Sequence, residues 1–129
     1  MRNKLMVCLM ASIFFSVLSV ATFAHHGGAA YDTSKMTTLM GTVTDFEFAN
    51  PHVIITMDVK DPSTGKIEKW QGELTSPNHL SRVGWTKSTI KPGDEVTMSG
   101  AALKDGGPAM AIRKIMKNGE QISTGGGDN

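Results

Sequence analysis

Four histidines, His25, His26, His52 and His79, are the side chains of this sequence best suited to holding a metal or moving a proton near neutral pH. Two of them stand together in "ATFAHHGG", residues 21 to 28. Neutral imidazole is a good ligand for copper, zinc or nickel. If processing exposes His25 as a new first residue, its amine and imidazole close a chelate ring on one ion, and His26 or His52 supplies a second imidazole. Asp32, which follows Tyr31, is placed to orient a ligand imidazole from behind or to dock this leader onto the rest of the chain. The alternative is that His25 and His26 sit in a mobile leader, because termini are ordered only when tied down.

His52 follows Asn50 and Pro51. Asn-Pro is turn chemistry, so His52 either hydrogen-bonds the turn backbone or, sharing parity with Ile54 and Thr56, points away from the core. His79 reads as an exposed polar residue. Thioethers favour monovalent copper or silver. Met57 and Met98 nevertheless share their strand faces with Val and Ile and read as core filling, which leaves Met36 and Met40 as the better thioether candidates. Trp70 and Trp85 are expected to bury large apolar areas at a barrel end.

The start of the chain sets the compartment. Arg2 and Lys4 precede the apolar run "LMVCLMASIFFSVLSV", and small residues follow at Ala21 and Ala24, the order of a secretory signal. Residues 1–24 are therefore expected to be removed, with cleavage after Ala24 favoured over Ala21, giving a periplasmic or secreted protein without stable membrane insertion. Cys8, the chain's single cysteine, lies in that signal, so disulfides and thiolate metal sites are excluded from the mature chain. Arg2 and Lys4 are two of the 13 Lys and Arg, against 12 Asp and Glu, so the mature chain is close to neutral. That balance lacks the basic footprint of a nucleic-acid binder, and nucleic acid is set aside as a partner.

These residues need a scaffold, and the sequence spells a β one. "MTTLMGTVTDFEF" (36–48) alternates and carries a mid-strand Gly41, a mark of a bend or bulge. "HVIITMDVK" (52–60) puts Val53, Ile55, Met57 and Val59 on one face, and "IEKWQGEL" (67–74) follows an Asp-Pro-Ser-Thr-Gly turn. "TSPNHLSRVGW" breaks the rhythm: Ser76 suits an N-cap, Pro77 a first helical position and Gly84 a stop, with Leu80 and Val83 facing inward. "DEVTMSGAAL" and "AMAIRKIMK" complete five strands. The order predicts an all-β fold, a small five-stranded OB-like barrel with one short helix between strands 3 and 4. A 25–35 leader, a 36–122 barrel and a polar, disordered 123–129 tail divide the mature chain.

Taken together, "HHGGAAYD", "LMGTVTDFEFANPHVIITMDV", "WQGEL" with "SPNHLSRVGW", and "IKPGDEVTMSGAALKDGGPAMAI" resemble a family of small secreted bacterial proteins classed as a domain of unknown function. Its marks are a His-His start, a Gly-Thr-Val strand, an Asn-Pro-His turn and a Gly-Trp after the helix. The chain departs from the pattern at Ile54, where many members carry Trp. The resemblance implies a secreted bacterial source and no activity. In element order the chain is also similar to OB-fold periplasmic copper and silver metallochaperones, without their Asn-Trp-Pro and Met-Thr-Met pattern.

No Gly-x-Ser-x-Gly elbow, phosphate loop, His-Glu-x-x-His or closely paired carboxylates occur. The expectation is an exported binding module and not an enzyme, with copper as its cofactor on His25, His26 and His52, and Asp32 behind them. The competing expectation is an adaptor that binds an envelope protein or a small molecule.

Overall fold

The computed structural model describes residues 27–126. Its sheet runs through β1 (Thr37–Glu47), β2 (Ile54–Lys60), β3 (Ile67–Glu73), β4 (Glu95–Ala102), β5 (Ala109–Lys117) and β6 (Glu120–Ile122), with one short helix, α1 (Pro77–Ser81), between β3 and β4. The strand order is β3-β2-β1-β4-β5-β6, and a parallel pairing of β3 with β5 closes the first five strands into a barrel. The five-stranded OB-like expectation holds, with one strand added.

β1 is long because it serves two partners. Thr37–Thr42 pair with β4, and Thr42–Glu47 pair with β2 across a register shift between Val43 and Asp45. Gly41 sits where the strand passes from one partner to the other. A Cβ at this position would run into the Asp58 carbonyl, so the bend depends on its absence. Gly41→Ala is expected to destabilise the barrel by roughly 2–3 kcal/mol, read as a lowered midpoint in urea at unchanged slope.

The alternating residues of β2 enter the core as their period requires: Val53, Ile55 and Met57 are fully buried, joined by Val96, Met98, Met110 and Ile115 from the facing strands. Met57 and Met98 are thus core, as expected, while Met36 and Met40 are exposed. Trp85 is buried and Trp70 half-buried, its indole N–H donating to Glu68 at 2.8 Å.

α1 starts on its sequence signals. Ser76 Oγ accepts from the His79 N–H, Pro77 takes the first position, and Gly84 follows with φ +94. Leu80 is buried as expected, but Val83 is exposed: the helix ends at Ser81, so the i, i+3 spacing no longer places Val83 on the inward face.

Both ends of the described chain pack on the barrel. The leader is docked from Tyr31 on: Tyr31 bridges Leu103, the Asp32 N–H donates to the Ala102 carbonyl, and Tyr31 is buried against Ala101 and Leu103. At the other end, Asn118-Gly119, both at positive φ, make the two-residue turn that favours a hairpin, and β6 forms where only a strand end was expected. Residues 123–126 are tied down as well, by Trp85 Nε1 donating to the Ser123 carbonyl at 2.7 Å and Thr124 Oγ1 donating to the Arg113 carbonyl at 3.1 Å. Among the described residues no helix is long and apolar enough to cross a membrane.

Candidate functional site

His52 lies just before β2, and the backbone beside it is clamped: the Val53 N–H donates to the Thr75 carbonyl, and the Leu74 N–H to the Val53 carbonyl. This pairing brings the end of β3 alongside, where Glu73 stands. Nδ1 of His52 lies against Glu73 Oε1 and is sealed from solvent, although 42% of the side chain is exposed. The exposure therefore falls on the remaining atoms of the side chain.

Glu73 is held from its other side by Tyr31, whose hydroxyl donates to Oε2 at 2.9 Å. Three segments far apart in sequence thus meet on one carboxylate: the docked leader, the turn before β2 and the end of β3. A carboxylate against Nδ1 favours the tautomer that carries its proton there and orients the ring, the arrangement by which ligand or proton-transfer histidines are positioned.

Burial first, then the hydrogen bond to Glu73 and its negative charge, push the Tyr31 phenol above its ordinary value of 10.0. Because the folded chain favours the neutral phenol, the stability this supplies is complete below pH 10 and is lost as pH rises beyond it. Tyr31→Phe is expected to remove that alkaline loss while lowering stability at pH 7 by about 1–2 kcal/mol. Thermal melts from pH 7 to 11 on both chains measure it.

The carboxylate beside His52 is Glu73. Asp32 faces its own turn: Oδ1 accepts from the Ser34 N–H at 3.1 Å and from Ser34 Oγ at 2.5 Å, and Lys35 lies 3.6 Å from Oδ2. The Ser34 hydroxyl and N–H hold its carboxyl below the ordinary range. Short Asp-x-Ser geometry wins over the reach to a distant imidazole. Glu73 has no candidate role in the sequence pattern; the signal that could have found it is its place at the last position of β3, where the strand abuts β5 and the leader.

His25 and His26 lie outside the described residues. His79 turns to the tail, its Nε2 3.0 Å from the Gly125 carbonyl. Among the described residues, no three His, Cys, Asp or Glu side chains gather into a metal site, so His52 contributes one ligand there at most.

With this geometry in place, the family model for a family of unknown function, DUF6152, matches residues 14–112. The chain belongs to that family. No curated protein matches it. Among solved structures, this DUF6152 chain is similar to the mitochondrial single-stranded DNA-binding protein of S. cerevisiae, with a TM-score of 0.50 and 8% identity over 67% of this chain and 95% of that one. At such identity the likeness shows the OB-type fold alone. It does correct the partner expectation. Nucleic acid was set aside on charge balance, yet the fold is shared with a protein named for binding single-stranded DNA, and that exclusion is withdrawn.

Proposed function

We propose that this chain is an exported binding module that holds one copper ion through His52 Nε2 together with the imidazoles of His25 and His26, without catalytic turnover. The observation that carries this reading is the chain of contacts Tyr31–Glu73–His52. A histidine whose Nδ1 faces a carboxylate presents Nε2 in a fixed orientation, the usual companion arrangement of a metal-bound imidazole. Tyr31 ties the segment that follows His26 to the same carboxylate. Five residue steps separate His26 from Tyr31, a reach of up to roughly 17 Å when extended, which is ample for a shared ion. Copper suits an all-nitrogen donor set better than the other first-row divalent ions.

Native mass spectrometry of the exported protein with one equivalent of copper tests the proposal. The expected result is a chain beginning at His25 that retains one copper and loses it on His25→Ala. A chain beginning at Thr22, or one that gives up copper readily, would overturn it.

A further inference from the structure

The barrel closes on β5 in two pieces, and the break between them forms a cleft. On the side away from β4, Ala109–Ala111 pair with β3 and Ile115–Lys117 pair with β6. Ile112, Arg113 and Lys114 lie between, where β3 has already left the sheet toward α1. The opening has a volume of about 640 Å³, within the range of small-molecule sites.

Its floor is apolar, made by Leu74 and Ile112, 5% and 9% exposed, with Met36 along one wall. Its rim is cationic. In a regular strand, Arg113 and Lys114 would face opposite sides. The β4–β5 register shifts between Ser99 and Gly100, and this bulge leaves both side chains exposed at the same opening. Among the described residues neither is in an ion pair with a carboxylate. Tyr31, His52 and Glu73 are not among the described residues that line the cleft.

We propose that this cleft binds a small amphipathic carboxylate, its head on Arg113 and Lys114 and its apolar chain along Ile112, Leu74 and Met36. The guanidinium fork matches a carboxylate with two parallel hydrogen bonds, and Lys114 adds a second positive charge. The apolar floor alone would suit a neutral ligand and the cations alone would suit any anion. Their combination in one opening selects a molecule with both parts.

The test is a two-dimensional amide NMR titration of the full chain with decanoate, beside decanol and a ten-nucleotide oligothymidylate. Decanoate is expected to produce saturable shifts at Ile112–Lys114, His79 and Thr124. The double variant Arg113→Gln, Lys114→Gln, at exposed positions that leave the spectrum's dispersion intact, is expected to bind at least tenfold more weakly, as is decanol to the unaltered chain. Absence of saturation below the decanoate micelle range would overturn the proposal. So would equal affinity in the double variant, equal affinity for decanol, or displacement of decanoate from these residues by the oligothymidylate, which would assign the cations to phosphate.

Discussion

If copper is held as proposed, His52→Ala is expected to weaken its retention on the order of 100-fold or more, because it would remove a ligand that Glu73 orients before any ion arrives. Glu73→Gln should weaken it by about 10- to 100-fold while every metal ligand stays in place. The amide keeps the shape of the carboxylate but only one acceptor oxygen, so it cannot place one oxygen against His52 Nδ1 while the other accepts from the Tyr31 hydroxyl. Asp32→Ala is the matched control and should leave affinity unchanged, since Asp32 is engaged with Ser34 and Lys35. Competition against a chelator of known affinity gives the three values, and electron paramagnetic resonance of the cupric form counts the bound nitrogens. Unchanged affinity and an unchanged spectrum for His52→Ala would mean that His52 is no ligand and only closes the end of β3.

Trp85→Ala is expected to lower the stability of the barrel by about 3–5 kcal/mol, the range for truncating a buried aromatic residue. In a domain of this size that corresponds to a fall in Tm of roughly 12 °C or more. Trp85 is 2% exposed, its ring centroid lies 6.2 Å from that of Phe46, and its N–H holds the Ser123 carbonyl. The substitution therefore opens a cavity beside Phe46 and removes the hydrogen bond that holds Ser123. Trp85→Phe separates the two effects: the ring volume is largely kept, about 1 kcal/mol is lost with the hydrogen bond, and amide exchange quickens at Thr124 to Gly126. A loss below 1 kcal/mol for Trp85→Ala would contradict its place in the core.

Much of the scaffold was legible because it follows from local rules. Val53, Ile55 and Met57 alternate, and alternation alone assigns them to one face. Ser76, Pro77 and Gly84 mark the two ends of α1 by capping chemistry within a few residues. β6 was legible in principle, since Asn118-Gly119 is a strong hairpin signal, but its three residues are too short for periodicity to register. Val83 was misplaced because the helical period was carried beyond the point where the helix stops. Arg113 and Lys114 share an opening only because of a bulge at Arg113, whose mark in β5 is the three-residue step from Ile112 to Ile115 where alternation calls for two.

The sequence by itself determined the β architecture, the helix between the third and fourth strands, the core faces and the family. It also singled out His52, because residue type and period are properties of a short stretch of chain. Only the tertiary structure decided that Glu73, and not Asp32, stands behind that histidine. Tyr31 and Glu73 are 42 positions apart and meet through the closure of the barrel and the docking of the leader. Asp32 had a nearer partner in Ser34. A short side chain satisfied by its own turn is not available to a distant ring, and which distant groups meet is set by strand pairing, which no local pattern encodes.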